Sequence, residues 1–137
     1  MISALVALMA ALASAAVVGW LLNRRAGHVR ATDGTADEVD TRDLGLSADG
    51  PTVVHFTAPW CSPCTQVRRV VTQVCTDLGD VAHVEIDMDA NPAAARRLSV
   101  LSLPTTFIFD AGGRQRYRAS GVPKADDLRS ALTPLLA

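Results

Sequence analysis

The sequence predicts an α/β domain with a mixed central sheet and helices on both faces, preceded by one N-terminal transmembrane helix. Three observations predict this. Residues 2–22 run without a charge or a proline. From Pro51 onward, short β-branched runs alternate with a stretch of helical apolar spacing, which demands a parallel crossover. Further on, two more strand-like runs flank Ala111-Gly112-Gly113, which demands an antiparallel pair. At 137 residues and a formal net charge of -1, the chain has room for one domain of ordinary size. All 13 basic and 14 acidic side chains follow residue 22. The near-neutral balance excludes a nucleic-acid binder, whose phosphate contacts require a basic surplus. Three cysteines are too few for a disulfide-stapled secreted scaffold.

Residues 1–22 read as a membrane anchor. A helix over Ile2–Leu22 covers roughly the 30 Å hydrocarbon core, and Trp20 sits where an amphipathic ring anchors at the headgroups. Only Met1 precedes the apolar run, so the basic n-region of a secretory signal is missing. The positive charge lies after the helix, at Arg24, Arg25 and Arg30, which places the following domain in the cytoplasm. Ser3, Ala7, Ala11, Ala15 and Gly19 form a small-residue stripe along which another membrane helix can pack, although an alanine-rich helix also produces such a stripe by composition.

Residues 23–50 are polar, acidic and glycine-dotted. They read as a linker and the start of the domain, with a first strand near His28–Ala31 and a short helix over Ala36–Leu44. The domain proper takes residues 51–137. Thr52–Phe56 is a β-rich run bounded by Gly50-Pro51 and Pro59. Pro63–Leu78 carries Val67, Val70, Val71, Val74, Cys75 and Leu78 at helical spacing, and Gly79 closes it. Val81–Met88 is a strand. Asn91 as N-cap and Pro92 in the first turn open a short helix to Leu98. Thr105–Asp110 and Arg114–Ser120 form the hairpin, and a last helix runs over Pro123–Leu136, loosened by Pro134.

The chemistry concentrates in Trp60-Cys61-Ser62-Pro63-Cys64. A Cys-x-x-Cys between a strand and a helix is the placement of a redox pair. Unpaired N–H groups and the macrodipole at a helix N-terminus favour a thiolate at Cys61, and only a thiolate attacks a disulfide sulfur. The alternative is half of a zinc site, but its further ligands would have to come from Cys75, His55 and His83, which form no second paired motif. No glycine-rich phosphate loop or metal cluster is present, so no cofactor is expected. Cys75 falls on the apolar stripe and reads as a small core residue. Arg114, Arg116 and Arg118 alternate along what reads as an edge strand, where charge blocks edge-to-edge pairing; a docking face for acidic partners or lipid headgroups is the alternative. Asp87, Asp89 and Arg96-Arg97 read as solvated faces.

Residues 51–121 resemble the thioredoxin family. Trp60-Cys61-Ser62-Pro63-Cys64 stands where the family has Trp-Cys-Gly-Pro-Cys. Val84-Glu85-Ile86-Asp87-Met88-Asp89-Ala90-Asn91-Pro92 is similar to the strand that ends in its asparagine-proline turn. Ser102-Leu103-Pro104-Thr105 is similar to its cis-proline loop, and Gly112-Gly113 and Gly121 match its later glycines. Only 39 residues separate Cys64 from Pro104, too few for the inserted helical domain of the Dsb oxidases. The insertion typical of exported cytochrome-maturation thioredoxins is also missing. The resemblance implies a thioredoxin fold and a membrane-anchored reductase of protein disulfides. Cys61 would attack and Cys64 resolve, a thiol electron donor would restore the dithiol, and Ser62-Pro63 is closer to reducing than to oxidising members. The Leu103–Pro104 bond would be cis, with Leu103 and Trp60 as the substrate platform. His55 stands where the family has a buried aspartate, and Glu85 where many members have lysine, which makes His55 the expected proton acceptor for Cys64. Two other readings remain: an exported reductase of, for example, haem-attachment cysteines, and an accessory subunit docked on a membrane protein. The arginine- and alanine-rich, lysine-poor composition is that of a GC-rich bacterial genome.

Overall fold

The structure, a computed structural model, describes residues 2–32 and 39–137. Helix α1 spans Ile2–Asn23 with none of its side chains buried, and it is long and apolar enough to cross a bilayer. Near its end the Arg24 guanidinium lies 3.6 Å over the Trp20 ring. The chain then enters a five-stranded sheet. Its strands are β1 (Arg30–Ala31), β2 (Thr52–Thr57), β3 (Ala82–Asp87), β4 (Thr105–Phe109) and β5 (Gln115–Ser120), in the order β1-β5-β4-β2-β3. Only β2 and β3 are parallel; the other neighbours are antiparallel. The parallel pair is joined by α2 (Cys64–Leu78), the crossover that parallel strands require. Helices α3 (Pro92–Arg97) and α4 (Ala125–Leu132) complete the domain.

Alternation along the strands divides the core in two. Val53 and Ile108 face α2 and α4, packing with Val67, Val71, Val74, Leu128 and Leu132. Val54, Phe56, Phe107 and Phe109 face the other way, onto Leu44, Ala94, Ala95 and Leu98. Every residue of β2 is buried, as a central strand covered on both faces must be. That burial includes His55, which lies on the α2 side and is fully enclosed.

Several elements depart from the sequence reading. Ala36–Glu38 lie outside the described residues, and Val39–Leu44 form no helix: the Leu44 N–H closes a turn onto the Thr41 carbonyl at 3.0 Å. Asn91 is the N-cap residue of α3 as expected, but its side chain makes no capping hydrogen bond; its amide N–H donates to the Asp87 carbonyl at 3.0 Å. The last helix stops at Leu132 and continues as a 3-10 turn over Thr133–Leu135, since Pro134 offers no N–H to an α-helical bond. Strand β5 is not the sheet edge: β1 pairs outside it, Arg30 opposite Arg118.

The junction between α1 and the sheet is short and interlocked. Gly27 is buried, with φ +82°, and its N–H donates to the Ser120 carbonyl at 2.6 Å. A Cβ on Gly27 would stand 2.1 Å from the Val122 carbonyl oxygen. Gly27→Ala therefore meets both a left-handed backbone and a backbone collision, and should cost about 2 kcal/mol or more. Hydrogen exchange at the Thr32 amide, which bonds the Arg116 carbonyl at 2.9 Å, reads the loss: faster exchange is expected, and unchanged protection would show that the junction is not locked by this glycine.

Candidate active site

Strand β2 delivers the chain to a tight turn in which the Cys61 N–H bonds the Ala58 carbonyl at 3.0 Å. Pro63, already in helical backbone geometry, leads into α2; its fixed φ and missing N–H suit the start of a helix. Cys61 and Cys64 are joined as a disulfide, with Cα atoms 5.5 Å apart. The two cysteines are unequally enclosed. Cys61 retains 8% exposure and Cys64 only 1%, because Cys64 opens the helix and turns inward, its sulfur 3.9 Å from the Phe56 carbonyl oxygen.

A second segment closes over the pair. The Leu103–Pro104 bond is cis, as the family resemblance implies, and Leu103 packs against Ala58, Cys61 and Cys64. The loop is tied down at both sides of the proline. The Thr105 hydroxyl donates to the Ser102 carbonyl at 2.6 Å, and the Gly121 N–H donates to the Pro104 carbonyl at 2.9 Å. Trp60 stays 65% exposed, its indole N–H donating to the Asp89 carboxylate at 2.9 Å. Among the described residues outside α1, Trp60 and Leu101 are the exposed large apolar side chains; Trp60 directly precedes Cys61, and Leu101 lies two residues before Leu103.

Beneath the site lies a polar cluster in an otherwise apolar layer. The parallel register sets His55 opposite Glu85 and Val53 opposite His83, so His83 and Glu85 follow the same face of β3. The His55 Nδ1 and His83 Nε2 are 2.9 Å apart, one ring donating to the other. The His55 Nε2 lies 3.4 Å from the Glu85 carboxylate without the alignment of a hydrogen bond. Glu85 is gripped through both oxygens by Arg68 of α2, one helical turn beyond Cys64. Burial, followed by the His83 ring, pushes the His55 pKa down to about 4, against the opposing pull of Glu85. Burial also lowers His83, while the Arg68 hydrogen bonds lower Glu85. His55 is thus a neutral imidazole at neutral pH.

The structure brings Cys61, Cys64, Leu103 and Pro104 together, and it sets Trp60 beside them. His55 adjoins Phe56, whose carbonyl the Cys64 sulfur touches. Sequence reasoning missed Asp89 as the partner of Trp60 and Arg68 and His83 as partners of the Glu85–His55 cluster. Asp89 carried no local signal, because its tie to Trp60 spans 29 positions. Cys75 is buried in the α2/α4 core, where burial pushes its thiol up to about 11, so it is no rival nucleophile.

The geometry is a closed pair of cysteines at the N-terminus of α2, one more enclosed than the other, with Leu103 of the cis-proline loop packed against both. The protein is a thiol–disulfide oxidoreductase. The thioredoxin family profile matches residues 38–134, and the chain belongs to that family. It is similar to thioredoxin of Mycolicibacterium smegmatis, 39% identical over 98 residues that cover 69% of this chain and 86% of the relative. It is also similar to the chloroplastic M-type thioredoxin of Zea mays, 31% identical over 115 residues covering 79% and 69%. Among solved structures, chloroplastic thioredoxin z superposes with a TM-score of 0.57 at 33% identity, covering 64% of this chain and 79% of that one. Oxidised mitochondrial thioredoxin 3 of Saccharomyces cerevisiae gives 0.54 at 27%, covering 62% and 78%.

Proposed function

We propose that this protein reduces disulfides of other proteins while α1 holds it in a membrane, with the domain on the cytoplasmic side. The observation that carries the reading is the closed Cys61–Cys64 disulfide beneath the cis-proline loop, on a chain that begins with a bilayer-length apolar helix. In the reduced enzyme the Cys61 thiolate attacks a substrate sulfur, forming a mixed disulfide and expelling the other substrate sulfur as a thiolate. Cys64, once deprotonated, attacks Cys61 and releases the second substrate thiol. Two electrons have then passed to the substrate, and the enzyme is left in the disulfide form. A dithiol donor of the reductase class returns it to the start.

Cys64 must lose its proton to attack, and we assign that proton to His55. Its imidazole is neutral at neutral pH and so has a lone pair to offer. Glu85, 3.4 Å from Nε2, stabilises the imidazolium as it forms. Trp60 and Leu103 receive the substrate, the Leu103 backbone pairing with an extended segment in the manner of strand addition. Arg24, Arg25 and Arg30 after α1 support the cytoplasmic orientation, and the stripe from Ser3 to Gly19 offers a face for a partner membrane helix.

Labelling of Cys61 by a membrane-impermeant maleimide tests the orientation. The full chain would carry Cys64→Ser and Cys75→Ala and be briefly reduced beforehand. Labelling confined to lysed cells is the expected result. Labelling in intact cells would place the domain outside and make the exported reductase the function to pursue.

A further inference from the structure

We infer that His83 passes to solvent the proton that Cys64 gives up, receiving it by way of His55. The inference rests on the proposed role of His55 as proton acceptor. In that role His55 needs an outlet, because a fully enclosed imidazole cannot itself hand a proton to water. Its hydrogen bonding supplies one. The His55 Nε2 makes no hydrogen bond, while Nδ1 lies 2.9 Å from the His83 Nε2. The proton of a neutral ring belongs on the nitrogen that has an acceptor for it. Nδ1 therefore carries it and donates to His83, and Nε2 keeps an open lone pair. Strand β3 is the outer strand of the sheet among the described residues, and His83 on it is half-buried. Its ring thus connects the enclosed His55 with the protein surface.

The proton moves in three hops. The Cys64 thiol proton goes to His55 Nε2, leaving the thiolate that attacks Cys61. The imidazolium so formed gives its Nδ1 proton to His83 Nε2. His83 then releases its own Nδ1 proton to water. When the dithiol donor reopens the disulfide, the same hops in reverse return a proton to Cys64 and restore both rings. Other charged groups act on the pair from two sides, Glu85 from β3 and Arg68 from α2, while β4 sets the uncharged Thr106 opposite His55. Glu85 is a poor outlet. Arg68 holds both of its oxygens and keeps its carboxyl ionised, and it faces Nε2, the nitrogen that receives the proton. His83 touches no reacting sulfur. It is a positioning residue that leaves Nε2 of His55 free and carries the proton onward.

Single-turnover kinetics of the full chain in detergent test the relay. The reduced protein is mixed with a small disulfide-bonded protein, quenched with acid, and the decay of the mixed disulfide is followed. His83→Ala should slow that decay about tenfold, less than the roughly 10²- to 10⁴-fold worth of a direct proton acceptor. Imidazole added to the buffer should restore the rate by replacing the lost ring, and should do nothing for His55→Gln. His83→Gln can still bond the His55 Nδ1 but cannot pass a proton on, so it should be as slow as His83→Ala. A His83→Ala protein as fast as the wild type, a slow one that imidazole does not restore, or a His83→Gln protein at the wild-type rate would overturn the relay. His55→Gln separates the two failures. If it resolves at the wild-type rate, the proton acceptor is misassigned and the relay falls with it; if it is slow while His83→Ala is fast, the relay alone falls.

Discussion

Replacing Cys61 by serine should slow reduction of a protein disulfide by a factor on the order of 10³ or more, while Cys64→Ser should leave the first attack intact and accumulate a mixed disulfide with the substrate. The asymmetry follows from position. Cys61 is the less enclosed of the two residues, 8% exposed against 1%, and it lies ahead of the N–H groups in the first turn of α2, where a thiolate is stabilised. Cys64 is enclosed against the Phe56 carbonyl and can reach only its partner. Cys75 cannot substitute for either, since burial raises its thiol to about 11. Alkylation of the reduced protein at neutral pH should therefore modify Cys61 first and spare Cys75. A Cys61→Ser protein that keeps its turnover would show that the attacking sulfur has been misassigned.

The parts of this molecule that local chemistry dictates were legible. The β2–α2 junction announces itself through Pro59, the cysteine pair, Pro63 and the apolar spacing from Val67 to Leu78, and α2 begins and ends within a residue of where that pattern puts it. Family resemblance added the cis bond before Pro104, which no spacing rule supplies. Contacts set by register were not legible. The His55–His83 bond spans 28 positions and exists because β2 and β3 run parallel in one alignment. A one-residue slip would turn His83 to the opposite face. Pairing of Arg30 with Arg118 depends likewise on the chain folding back from α1 onto the far side of the sheet. Asn91 was legible as the N-cap position of α3, whereas the bond its side-chain amide donates to the Asp87 carbonyl is a local alternative to capping that the residue type alone does not announce.

His55 should make the folded protein acid-sensitive well above the usual carboxylate range. Its pKa is about 4 in the folded protein against 6.5 for the free side chain. Between those two values the unfolded chain takes up a proton that the folded chain does not, so stability is fully present above pH 6.5 and is lost as pH falls toward 4. At 1.36 kcal/mol per unit, the loss is about 3 kcal/mol. His83, lowered by burial, acts in the same direction. Glu85, lowered by Arg68, continues the loss at still lower pH as its carboxylate is neutralised. Urea midpoints of the oxidised protein across this range should fall steeply for the wild type and much less for His55→Gln. A wild-type midpoint flat from pH 6.5 to 4 would mean that the imidazole is charged inside the fold, paired with Glu85. Turnover of the same variant tests the role of the group as distinct from its surroundings. If His55 takes the Cys64 proton, His55→Gln should slow resolution of the mixed disulfide and shift the pH profile of reduction. An unchanged profile would leave His55 as a packed core residue, and the proton from Cys64 would have to leave by another route.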